Sequence, residues 1–94
     1  MEYYGQFEWD TKKNKQNLAK HSIDFEAAIE VFRDPHNRVA EDDLHSVDEE
    51  RYFCVGKTWL GIVTVRFTYR KGKVRIIGAG FWRKGRKLYE KENE

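Results

Sequence analysis

Cysteine and proline each occur once among the 94 residues, and no apolar run is long. A single thiol, Cys54, excludes an intrachain disulfide and zinc sites built on several cysteines. It stands inside an apolar stretch, where it reads as a small buried filler or as a catalytic thiol. Pro35 follows Asp34 and marks a helix end, because proline disfavours helical geometry in the residue before it. No segment approaches the roughly 20 apolar residues that a membrane span needs. MEYYGQFEWD has neither the basic start nor the apolar core of a signal peptide. The expectation is a reducing cytoplasm and no membrane contact.

What is abundant is aromatic and charged. Trp 3, Tyr 5 and Phe 6 give a short chain apolar area to bury. The length allows one compact domain over residues 1–94. The net charge of +2 hides an uneven distribution. Residues 1–50 hold 6 Lys/Arg against 13 Asp/Glu, and residues 51–94 hold 12 against 3. A basic second half suits an anionic ligand, nucleic acid being the commonest, unless the two halves neutralise each other across the fold.

Phe7 and Trp9 share a face at period two, so residues 3–9 read as a short strand. Asp10 is a good N-cap for a polar surface helix from Thr11 to Lys20. Ser22 or Asp24 starts a second helix, in which Phe25, Ala28, Ile29 and Phe32 form the stripe of a core-facing element. Residues 41–50, with six acids, read as an exposed loop after a short strand at Arg38–Glu41. Strands are expected at 51–58, 61–69 and 73–80, with turns at Leu60-Gly61 and Lys71-Gly72, hence an antiparallel meander. A helix from Arg83 to Glu92 closes the chain. Val63, Val65, Phe67 and Tyr69 share one strand face, and Thr64, Arg66 and Thr68 the other. By the same parity Arg75 shares a face with Ile77 and Ala79. The sheet should be covered on one side and partly open on the other.

These residues resemble a known family. Phe7-Glu8-Trp9-Asp10, Lys13, Asn17-Leu18, Lys20-His21, Ile23, Phe25 and Ala28 resemble the opening signature of the BrnT toxins. Glu50-Arg51, Thr68, Arg70, Arg75-Ile76-Ile77 and Lys87-Leu88-Tyr89-Glu90 are similar to its later strands and terminal helix. The resemblance implies an α+β, RelE-like fold: a twisted antiparallel sheet with N-terminal helices on one face and a C-terminal helix. It implies metal-free RNA cleavage with no cofactor. It also implies neutralisation by a BrnA-like antitoxin with a ribbon-helix-helix segment, operator DNA being bound only through that complex. One departure is Gly78-Ala79-Gly80, where the family often has Ser-Ala-Arg. The cation-rich Phe81-Trp82-Arg83-Lys84-Gly85 follows it.

Metal-free cleavage needs a base for the 2′-hydroxyl, cations for the phosphorus centre and an acid for the leaving oxygen. Arg66, Arg70 and Arg75 are clamp candidates, because a guanidinium binds two phosphate oxygens at once. Arg75 with Arg70 or Arg66 is expected to hold the phosphate, and Thr68 lies among them. The alternative is that these are solvated strand-edge charges. His21, at a helix end, reads as a proton-transfer group or as a cap. Tyr89, beside several cations, is a further acid/base candidate unless it simply packs on the sheet. Lys13, Lys20, Arg51, Arg83, Lys84, Arg86 and Lys87 are candidate RNA contacts, and Trp59 and Trp82 candidate base-stacking rings. His36, His45, Asp42, Asp43 and Asp48 fit no familiar metal-ligand spacing and read as a solvated loop, or as a surface for a basic antitoxin segment. A non-catalytic RNA- or protein-binding module on the same fold remains the competing reading.

Overall fold

Period-two runs ending in turn residues make the sheet, and the turns set its register. A computed structural model describes all 94 residues, Met1–Glu94. The strands are β1 (Glu2–Tyr4), β2 (Phe7–Trp9), β3 (Arg38–Glu41), β4 (Tyr52–Thr58), β5 (Gly61–Arg70) and β6 (Lys73–Gly80). The helices are α1 (Thr11–His21), α2 (Phe25–Arg33) and α3 (Arg83–Glu92), with one 3₁₀ turn at Asp43–His45. Strand order is β1-β2-β6-β5-β4-β3.

β3 to β6 form the expected meander. Lys71 and Gly72 both have positive φ, the backbone of a two-residue hairpin turn. The β4–β5 turn is Trp59-Leu60, one residue earlier than the sequence suggests, and Gly61 opens β5. Two features correct the antiparallel expectation. Residues 3–9 are not one strand but the ends of a hairpin, β1 with β2, turned at Gly5 with φ +58. β2 then lies parallel to β6, Phe7 beside Val74 and Glu8 beside Arg75, so the sheet is mixed.

Asp10 caps α1 by accepting from the N–H groups of Lys12 and Lys13 at 2.9 and 3.0 Å. Asp24 caps α2 by accepting from the Ala27 N–H at 2.8 Å. Ser22 instead ends α1 in left-handed geometry. Trp9, Ile23, Phe25, Ala28, Ile29 and Val31 meet Cys54, Val63, Val65, Phe67, Ile76 and Ala79 in a buried core. Fully burying a side chain such as Ile76 or Phe67 contributes about 1.5–3 kcal/mol. Cys54 is one of these fillers, and burial first, then the Asp34 charge, pushes its thiol up to about 12. A thiolate is therefore not at hand for catalysis.

A bulge between Arg66 and Phe67 changes the parity read from the sequence. Arg66 pairs with Gly78 and Phe67 with Ile76, leaving Ile77 as the extra residue. Ala79 thereby joins Ile76 in the core, whereas Arg75 stays on the opposite face beside Thr68.

That opposite face is not fully open. α3 crosses it, packing on β4 and β5 and touching β3. Gly85 is the contact point: a Cβ there would lie 1.9 Å from the Thr64 hydroxyl oxygen. The far end of α3 is tied down by Tyr89, whose hydroxyl donates to Asp34 at 2.7 Å. No helix is long and apolar enough to cross a membrane.

Candidate active site

Past the end of β2, the backbone of β6 would have a free edge. α1 fills that place with a side chain. Asn17 accepts from the Ala79 N–H at 3.2 Å and donates to the Ala79 carbonyl at 2.9 Å. It also donates to the Ile23 carbonyl at 2.8 Å. This amide, 8% exposed, acts as one rung of a missing strand and fixes α1 beside β6. Its neighbours at helical spacing, Lys13, Lys20 and His21, together with Gln16, then line one groove with Ile77, Gly78, Arg66 and Trp82.

Arg66 leaves β5 at the bulge, a device that re-aims side chains. Its guanidinium lies 4.9 Å from the Trp82 ring centroid. Such a contact contributes about 0.5–2 kcal/mol and holds the plane of the fork. No carboxylate pairs with Arg66, whose planar donors are left for a ligand. Trp82 can lie there because residue 80 is glycine: a Cβ on Gly80 would come within 2.6 Å of the ring. Trp82 also meets the His21 ring edge-on, centroids 5.3 Å apart. His21 makes no cap bond; the Ser22 N–H closes the helix on the Leu18 carbonyl instead.

Arg66 and Trp82 also border a second cleft, of about 160 Å³, on the α3 side. Thr64, Phe53, Lys84 and Gly85 line it, with Asp42, Leu44 and His45 from the 3₁₀ turn. The Thr64 hydroxyl is buried there without a hydrogen-bond partner. Asp42 and His45 are in contact, Nδ1 lying 2.9 and 2.8 Å from the two carboxylate oxygens. The two clefts thus share one cation, Arg66, with a histidine on each side.

Several expectations need correction. Arg70 and Arg75 do not converge as free cations. Arg75 is paired with Glu8 at 2.8 Å, both largely buried, which ties β2 to β6. Arg70 is paired with Glu49 at 2.9 Å, and that bond is the first cause holding the Glu49 carboxyl below its usual range. Arg51 reaches the same carboxylate at 3.7 Å. The acidic loop therefore neutralises the strand-edge cations in place. Thr68 is buried, its hydroxyl donating to the Glu50 carbonyl at 2.7 Å. Tyr89 is not activated by its cationic neighbours. Its hydrogen bond to Asp34, then burial, raises the phenol to about 12.

Trp59 is 80% exposed but stands on the far side, in a groove with Asp24, Glu26 and Glu30. Arg83, Arg86 and Lys87 are exposed on α3, Arg86 beside Glu90 at 3.5 Å. The structure thus brings together Lys13, Lys20, His21, Arg66, Trp82 and Lys84. Sequence reasoning missed Asn17 as a strut and the Asp42–His45 contact. The spacing of the latter, i and i+3 in a single turn, was the available signal, but it was hidden in a run of acids. No three His, Cys, Asp or Glu side chains cluster as metal ligands would.

No curated protein matches this sequence. Residues 9–85 match a family model described as ribonuclease toxin, BrnT, of type II toxin-antitoxin system. That match spans most of the 94 residues, from the last residue of β2 to the glycine seated on Thr64, and the chain belongs to the BrnT family.

Proposed function

We propose that this chain is an endoribonuclease toxin that cuts mRNA without a metal ion and thereby arrests growth. The observation that carries the reading is Arg66: a guanidinium stacked on Trp82, unpaired with any acid, at the meeting of two cation-lined clefts. Arg66 would hold two oxygens of the scissile phosphate and stabilise the charge that builds on them in the transition state. Lys13 and Lys20 on one side and Lys84 on the other would carry the flanking phosphates. His21 would serve as the acid that protonates the leaving 5′-oxygen. The 2′-oxygen, once deprotonated, attacks phosphorus, leaving a 2′,3′-cyclic phosphate and a 5′-hydroxyl.

The sheet with α2 on one face, α3 on the other and α1 along the β6 edge is compatible with a RelE-like arrangement, with residues 1–94 as one toxin domain. A BrnA-like ribbon-helix-helix antitoxin would cover the basic grooves. Operator DNA would be reached only through that complex, in the cytoplasm.

The test is incubation of the purified chain with single-stranded RNA in chelator. Wild type is expected to cut and leave cyclic phosphate ends. Arg66→Ala should lose about 10²–10³-fold in rate, the scale for removing one transition-state donor. Arg66→Lys should not recover it, since lysine lacks the fork. Equal cleavage by wild type and Arg66→Ala refutes the reading. One observation favours a non-catalytic RNA binder. Gly78 faces open space, where a Cβ would meet only the Asn17 side-chain oxygen at 3.9 Å, so the groove floor lacks a functional side chain there. Retention of intact RNA by the wild-type chain would select that alternative.

A further inference from the structure

The cleft on the α3 side holds a pair of side chains to which the reading above gives no task. We propose that His45, oriented by Asp42, is the base that accepts the 2′-hydroxyl proton at the Arg66 centre; the inference rests on the nucleolytic reading.

The tautomer follows from the contact. A carboxylate can only accept, and both oxygens of Asp42 lie on His45 Nδ1, so Nδ1 carries the hydrogen. In the neutral ring the lone pair is then on Nε2, the atom that can receive a proton. Asp42 is buried, which keeps its carboxylate on the imidazole.

The turn is well held despite its six nearby acids. The Asp42 N–H donates to the Arg51 carbonyl at 2.8 Å, and the His45 N–H to the Asp42 carbonyl at 3.2 Å. The Ser46 hydroxyl donates to the Asp42 carbonyl at 2.8 Å and accepts from the Arg51 N–H at 2.9 Å. A loop with this bracing presents His45 at a fixed place.

That place is the wall of the cleft shared with Arg66, Trp82 and Lys84. Thr64, its hydroxyl buried beneath Gly85, forms the floor of the cleft where α3 meets β5. The chemistry balances across Arg66. His45 Nε2 takes the 2′-hydroxyl proton while the 2′-oxygen bonds to phosphorus. The bond from phosphorus to the 5′-oxygen breaks, and that oxygen takes a proton from protonated His21 in the adjoining groove. The His45 imidazolium stays paired with Asp42 until water exchanges both protons back.

The experiment measures single-turnover cleavage of a short single-stranded RNA in chelator, together with binding of the same RNA carrying 2′-O-methyl groups. His45→Ala is expected to cut about 10²–10⁴-fold more slowly and to bind the methylated RNA with little change. Added imidazole should restore part of the lost rate to His45→Ala but none to His45→Gln, which fills the space without a base. Asp42→Asn should slow cleavage while leaving binding intact. If wild type does not cut, or Arg66→Ala cuts equally well, the nucleolytic reading falls and this inference with it. If Arg66→Ala is inactive while His45→Ala keeps its rate, only the inference falls. Joint loss of cleavage and binding without imidazole rescue also overturns it, since that is the mark of a mere loop staple.

Discussion

Replacing Asn17 with alanine should be the most damaging polar substitution in the molecule. Three hydrogen bonds go at once, to both backbone groups of Ala79 and to the Ile23 carbonyl. Ala79 and Ile23 are buried, so water does not take over the freed groups without opening the joint between α1 and β6. At about 1 kcal/mol per bond the loss is about 3 kcal/mol, and a buried group left unpaired adds to it. A domain of this size has only about 5–15 kcal/mol in total. In a thermal melt 1 kcal/mol corresponds to about 4–8 °C, so Tm should fall by about 12–24 °C. Asn17→Asp separates the parts of the argument. It keeps an acceptor for the Ala79 N–H but sets a charge against two carbonyls, so it should be no better than alanine at neutral pH. Urea unfolding followed by circular dichroism and tryptophan fluorescence gives the number. A loss below about 1 kcal/mol, or an Asn17→Asp protein as stable as wild type, would refute the strut.

Two further outcomes follow from the α3 side. Gly85→Ala puts a methyl group on the Thr64 hydroxyl, so α3 must lift, costing about 1–3 kcal/mol; Thr64→Ala in the same chain should recover part of it, as a double-mutant cycle would measure. The tie from Tyr89 to Asp34 should show in the pH dependence of stability. The Tyr89 phenol is raised to about 12 in the fold, so its contribution is complete below the ordinary tyrosine value near 10 and disappears as pH rises from there toward about 12. Burial acts to raise Asp34, yet the bonds from the Lys57 N–H, Tyr89 hydroxyl and His36 N–H hold it below its ordinary value. Its contribution is therefore present above pH about 4 and lost as acid titrates it. Tyr89→Phe should flatten the alkaline limb, as read by denaturation across pH.

The elements were legible where a local pattern governs them. Val63, Val65 and Phe67 alternate toward the core, and Lys71-Gly72 can turn only one way, so β5 and β6 appear in the sequence nearly to the residue. The β1–β2 hairpin was not legible, because three-residue strands carry no period of their own and one glycine decides the turn. The parallel pairing of β2 with β6 joins residues almost seventy positions apart, and no local signal reports it. The bulge at Ile77 reversed the inferred parity of Ala79 for the same reason. At the site, cation identity was readable but cation availability was not. Arg66 and Arg70 look alike on a strand, and only the fold brings Glu49 to one of them and Trp82 to the other.

The shared pair of clefts draws on residue 13 at one extreme and residue 85 at the other. While the polypeptide is being synthesised, no fragment short of α3 holds a complete set, and α1 has no β6 edge to seat against until the last strand emerges. The groove therefore cannot form before α3 has been made, and any event that unseats either α1 or α3 dismantles the groove as a whole.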